Sequence, residues 1–214
     1  LGVRRQRQMC IRDRPNASNI GALLEYAPTP VFSIPPGYYT GSAQVAITCS
    51  DPTATIHYTL DGTRPDNNSP IYTVPITFTQ TTVLKAITYS TNSNVPPSFI
   101  EYNTYFVDDN HTIPILSISG DEVLVLLDGG WGSTSMEPEG TIEWFDKDGN
   151  ILDKGMGEFN KHGNDSWAYA QRGFDYVMRD QFGYNYALKD KLFMTKDRDK
   201  FQRVIVKAAA NDNY

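Results

Sequence analysis

Cysteine is almost missing from this sequence, with two in 214 residues. A disulfide framework is therefore excluded, and no Cys/His set has zinc-site spacing. Long apolar runs are missing too. The best, VLVLL at residues 123–127, is core-sized and far short of a membrane span. No Walker Gly-Lys-Ser/Thr ending and no G-x-S-x-G nucleophile turn occurs. Basic excess is also lacking, because the net charge is −6. Residues 1–14 hold five Arg and one Asp, so the remainder carries −10, which argues against a nucleic-acid partner. The chain is instead rich in thirteen Pro, sixteen Gly, thirteen Tyr and ten Phe, a composition that favours strands over helices.

The first segment, LGVRRQRQMCIRDR, shares no composition with the remaining 200 residues and resembles translated sequencing adapter at the end of a metagenomic read. It is set aside as a non-native segment, with residues 15–29 read as a linker. The true N- and C-termini are expected to lie outside the sequence. Cys49, in AITC, is expected to be a small core residue.

From residue 30 to 107 short strand-like runs alternate with turn chemistry: VFSI, QVAITC, TIHYTL, IYT, PITFT, VLKAITY and FIEYNTYFV. Seven strands at this spacing predict an immunoglobulin-like β-sandwich. TIHYTL alternates Ile56, Tyr58 and Leu60 with Thr55, His57 and Thr59, which predicts one buried face. The string Tyr58 to Gly62 (YTLDG), then Pro65, Ser69 to Tyr72 and Lys85-Ala86, resembles the C-terminal module of chitobiases and β-hexosaminidases. That resemblance implies an accessory or spacer domain of a secreted or cell-surface bacterial protein.

Residues 108–112 read as a short polar linker. Residues 15–112 carry only Arg64 and Lys85 as bases, whereas 113–214 carry twelve, which marks a second domain over 113–214. Its pattern is an opening strand (IPILSIS), a possible short helix (DEVLVLLD), a Gly-rich loop, a hairpin turning at Asp148-Gly149, and closing strands FDYVM and KFQRVIVKAAA. The expected fold class is mainly β: a sandwich followed by an α+β antiparallel-sheet lobe.

The ordered motifs Ile115 to Ser119, Ile142 to Asn150, Gly157 to Ser166, Ala170 to Tyr176, Phe182 to Phe193 and Val204 to Asp212 resemble the N-terminal lobe of the CotH spore-coat kinase family. The resemblance implies an incomplete lobe of an atypical kinase fold. It implies a full-length parent that uses ATP and Mg²⁺ to phosphorylate Ser or Thr on extracytoplasmic proteins. Arg172 stands in the place of the family's strand Lys and would pair phosphate oxygens, with Lys207 and His162 as further phosphate contacts. Asn160 and Asp175 depart from the family, standing where basic residues are usual. The catalytic and metal-binding residues are expected beyond residue 214, so this piece is expected not to turn over alone.

Plainer readings stand beside these. His162 and Lys207 also suit a local hydrogen-bonding turn residue and an ordinary strand residue. Asp61 and Asp66 could bind Ca²⁺ or simply close turns, and Asp146 to Asn150 fails the EF-hand spacing. Tyr38, Tyr39, Tyr102, Tyr105 and Phe106 could stack on sugar or pack a core. Glu143 and Glu158 fall on adjacent strands with nothing to set a glycosidase separation. The reading from a different class is a non-catalytic surface protein whose partner is a glycan or another protein.

Overall fold

Residues 26–128, 135–163, 172–190, 192 and 195–207 are described in a computed structural model, and strands dominate them. The Gly129–Gly132 loop and the Asn164 to Trp167 turn lie outside the described residues. Eight strands build the first unit: β1 (Val31–Phe32), β2 (Gly37–Tyr39), β3 (Ala43–Val45), β4 (Ile47–Thr48), β5 (Thr55–Thr59), β6 (Ile76–Phe78), β7 (Thr82–Tyr89) and β8 (Glu101–Val107). A four-stranded sheet runs β2-β8-β7-β5, and the ribbons β1-β4 and β3-β6 pack on one of its faces. The β-sandwich core between these layers is Ala43, Val45, Ile47, Phe78, Leu84, Ala86, Tyr105 and Val107.

Local chemistry explains most of these elements, and the exceptions are informative. IYT makes only the bridge between Ile71 and His57, while GYY forms β2, parallel to β8, a strand the turn-rich sequence hid. TIHYTL turns Ile56 and Tyr58 to the sandwich core as alternation predicts, but its other face is not left to solvent: His57 is its most buried residue, while Leu60 is exposed. The reason is that the 61–72 excursion folds back over β5, and Ser69 offers its carbonyl 2.8 Å from His57 Nδ1. The core role expected of Cys49 is partial: its thiol is half-buried and donates to the Pro28 carbonyl at 3.6 Å.

The second unit contains β9 (Ile115–Ser119), α1 (Val123–Asp128), β10 (Glu139–Phe145), β11 (Ile151–His162), β12 (Gly173–Met178) and β13 (Arg203–Val206). The five strands form one antiparallel meander in chain order. One face carries Ile142, Phe159, Phe174, Tyr176 and Met178 under Val123 and Leu126 of α1. Tyr176 is buried, and its hydroxyl donates to the Gly155 carbonyl at 2.8 Å and the Gly140 carbonyl at 3.1 Å. β11 is longer than the hairpin pattern predicts: it extends to His162, which pairs with Gly173 as a strand residue rather than a turn residue.

The two units are stacked rather than strung apart. Successive side chains of a strand leave opposite faces. Leu84 and Ala86 therefore enter the sandwich core, and Lys85, Tyr102, Thr104 and Phe106 face the second unit. Both β7 and β8 are consequently buried on both faces. Phe106 meets Phe145 edge-on at 5.2 Å, and Met156 joins Ile87, Ile100 and Tyr102 in a shared cluster.

The hairpin turn between β10 and β11 completes the contact. Asp146 Oδ1 accepts from the backbone N–H of Asp148 and of Asn150, at 2.9 and 2.8 Å, and Gly149 takes φ +81°. A Cβ on Gly149 would sit 2.4 Å from the Tyr38 ring of β2. Gly149→Ala is therefore expected to cost on the order of 1–3 kcal/mol. Gly41→Ala, at φ +73° with nothing within 4 Å, carries the backbone term alone. Denaturant unfolding of both variants checks this, with the larger loss expected at Gly149.

Candidate functional site

The polar stretch singled out in the sequence is the far end of β11 and β12, beyond the area covered by the sandwich. Strand alternation puts Glu158, Asn160 and His162 of β11, Asp175 and Val177 of β12, and Arg203 and Ile205 of β13 on one face. Asp175 is buried. It binds the Arg203 guanidinium, and its Oδ1 lies 3.3 Å from His162 Nδ1. Arg179 pairs with Glu158 at 3.0 Å. A groove of about 340 Å³ runs beside this end, lined by Ser135, Met136, Glu137, Asn160, Lys161 and Gly163.

Arg172 directly precedes β12 and leaves the sheet on the opposite face. Its Nη1 donates to the Leu127 carbonyl at 2.7 Å, in the last turn of α1, where unpaired carbonyls favour a cation. Lys207 follows β13 and is exposed. The three residues selected as nucleotide contacts are thus distributed: Arg172 at the helix end, His162 on Asp175 across the sheet, Lys207 in solvent. Asp175, the departure from the expected basic strand, anchors an ion-pair cluster instead.

Among the described residues no group of three His, Cys, Asp or Glu side chains could hold a metal ion, and Arg172 and His162 lie on different faces of the sheet. Asp61 and Asp66 are turn residues. Asp61 accepts from the Thr63 N–H and hydroxyl, and Asp66 from the N–H groups of Asn68 and Ser69, bonds that hold both carboxyls below their usual pKa. Of the expected sugar-stacking residues, Tyr102, Tyr105 and Phe106 are buried. Glu143 is sealed while Glu158 pairs with Arg179, so they are not a pair flanking an open cleft.

Glu143 belongs to a polar cluster between the two units that sequence reading did not identify. Its carboxylate accepts from the Thr104 N–H at 3.1 Å and the Thr104 hydroxyl at 2.5 Å, and Ser117 Oγ lies 2.8 Å from that hydroxyl. Lys85, 2% exposed, donates to the Ser119 carbonyl at 3.4 Å. Arg64 donates its N–H to Asp121 at 2.6 Å and its guanidinium to Glu139. Both bases of residues 15–112 therefore land on the second unit. The signal in the sequence was a charge inside each apolar strand, Lys85 in VLKAITY and Glu143 in TIEWF.

Burial pushes Glu143 up to about 7, against the downward pull of Thr104, Lys154 and Lys85. Burial likewise lowers Lys85 to about 8, opposed by Asp121, Glu143 and Asp61. Tyr102 is raised well above its ordinary value by its burial.

Residues 34–99 match the chitobiase/β-hexosaminidase C-terminal domain, which supports the resemblance carried by YTLDG and its companion motifs. No curated protein and no solved structure matches the chain. The match covers β2 to β7 of the sandwich, leaves out β1, β8 and the second unit, and carries no hexosaminidase chemistry with it.

The buried cluster sets an unusual pH response. A carboxyl raised in the folded state contributes stability below its unfolded pKa that is lost as pH climbs to the folded one. For Glu143 that window runs from 4.5 to about 7. Lys85 acts in the other sense: its contribution is present above 10.5 and lost as pH falls to about 8. Chemical denaturation across the first window should show stability falling with rising pH by up to about 3 kcal/mol. Glu143→Gln should flatten that slope, and an unchanged slope in the variant would assign it to another group.

Proposed function

We propose that this chain is part of a secreted or surface-exposed bacterial protein of the CotH kinase-like type. In this reading the sandwich is a rigid support, and residues 113–214 are the scaffold part of a phosphotransferase lobe that does not turn over alone. The observation that carries it is order. The described parts of five of the six motifs read as CotH-like fall in chain order on the five strands of one antiparallel meander, the Phe182 to Phe193 motif lies between β12 and β13, and Arg172 is held at the start of β12 by the end of α1. The described residues supply no step of phosphoryl transfer. The Mg²⁺ ligands and the catalytic carboxylate belong, in this proposal, to residues elsewhere in the full-length gene product, acting on Ser or Thr of an extracytoplasmic protein.

A second reading, a non-catalytic binder of surface glycan, draws support from a groove of about 430 Å³ on the sandwich, lined by residues 30–35 with Glu101 and Asn103.

Calorimetric titration with Mg²⁺·ATP separates the two. The 214-residue chain should show no binding, and the full-length gene product should bind, with affinity about tenfold lower in Arg172→Ala. Absence of binding by the full-length product would remove the kinase reading. Unaltered binding in the variant would remove Arg172 from the site. Retention of a glycan on an array, lost with Phe32→Ala, would favour the second reading.

A further inference from the structure

The two units also meet at the edge of β8, and the chemistry there differs from the buried cluster. β2 pairs with β8 only from Tyr105 to Val107, so among the described residues no strand pairs with the β8 edge at residues 101–103. Lys154 of β11 fills it. Its ammonium binds the Glu101 carboxylate, donates to the Tyr102 carbonyl at 2.7 Å and to Asn103 Oδ1 at 2.9 Å, and lies 4.7 Å from the centre of the Tyr102 ring. Asn103 is 5% exposed. Its Nδ2 donates to the Tyr105 hydroxyl at 3.1 Å, and that hydroxyl donates to the Ile34 carbonyl at 3.2 Å. The carboxamide is thus clamped at both ends, with its carbonyl turned to the amine. Lys154 and Glu101 keep only 27% and 28% of their side-chain surface. Docking a strand edge needs the carboxylate and the backbone carbonyl. It does not need an immobilised primary amide as a third partner.

We propose that Lys154 and Asn103 form an intramolecular isopeptide bond, with Glu101 as the proton relay. Glu101 takes a proton from the Lys154 ammonium. The freed lone pair attacks Asn103 Cγ and forms the new C–N bond, while negative charge gathers on Oδ1. A proton from the former amine passes to Nδ2, the Cγ–Nδ2 bond breaks, and ammonia departs. It takes the proton held on Glu101 and leaves as ammonium, so Glu101 ends as the carboxylate it began. Nothing is oxidised or reduced, and no co-reactant is consumed.

Two physical features favour the step. Amine and amide are held together by the fold, so the reaction proceeds at the high effective concentration of an intramolecular process. Exchange of one amide for another is nearly balanced in energy, and dilution of the released ammonia draws it forward. The product would join residues 51 apart in sequence and tie the sandwich to the sheet through a covalent bond. It rests on the packing of the two units and is independent of the kinase reading.

Intact mass spectrometry of the folded 214-residue chain tests it without any variant. The expected mass is the sequence mass less one ammonia, with a protease digest yielding one branched peptide that joins the Asn103 and Lys154 segments. Lys154→Arg and Glu101→Gln are each expected to keep the full mass. They should also migrate more slowly than wild type in denaturing electrophoresis, since a closed loop makes the unfolded chain more compact. A wild-type chain with the full sequence mass after prolonged incubation in the folded state would overturn the proposal. So would an ammonia loss without the branched peptide, or one that persists in Lys154→Arg.

Discussion

Glu143 and Thr104 face each other across the seam between two stacked sheets, and the architecture depends on that juxtaposition. A carboxylate removed from water must be hydrogen-bonded and neutralised, or it takes up a proton. Here the second unit supplies the acid and the sandwich supplies the N–H and the hydroxyl that receive it. The sandwich in turn contributes Lys85 and Arg64, and the second unit returns Lys154. Each unit thus completes the polar requirements of the other. A lone sandwich would leave Lys85 and Tyr102 at a solvent-facing surface where they make none of these contacts.

That seam divides the five-stranded sheet into two regions with different prospects. Near β9 and the first half of β11 the face is covered, and its charges serve cohesion. Beyond Glu158 the same face emerges from under the sandwich, and there the polar residues pair among themselves: Arg179 with Glu158, and Arg203 and His162 with Asp175. Arg172, one residue before β12, is directed by strand alternation to the other face, where the end of α1 takes it. Residues adjacent in sequence are therefore separated by the thickness of the sheet, and Arg172 and His162, which the motif order had grouped, stand on opposite faces.

Much of the fold was legible because local chemistry decided it. Asp148-Gly149 makes its turn, VLVLLD makes one short helix, and the sandwich match at residues 34–99 falls where YTLDG and its companion motifs had placed it. GYY escaped notice because a three-residue strand is stable only through parallel pairing with β8, well over sixty residues away in the chain. The burial pattern of TIHYTL was misjudged because a later excursion covers the face that alternation had left to solvent. The polar seam was missed for a related reason. A charged residue inside an apolar strand marks a buried partner but cannot say where that partner lies.

By itself, then, the order of residues determined the strand-rich composition, the turn positions, the division in charge near residue 110 and the identity of the sandwich module, all of which depend on neighbours within a few residues or on a contiguous pattern. Only the tertiary structure decided that the two units share an interface, which side of the sheet each charge occupies, and that Lys154 meets Asn103 and Glu101 at the β8 edge. Those outcomes depend on pairing between distant segments, and on the low-dielectric space that exists only once two sheets have closed upon each other.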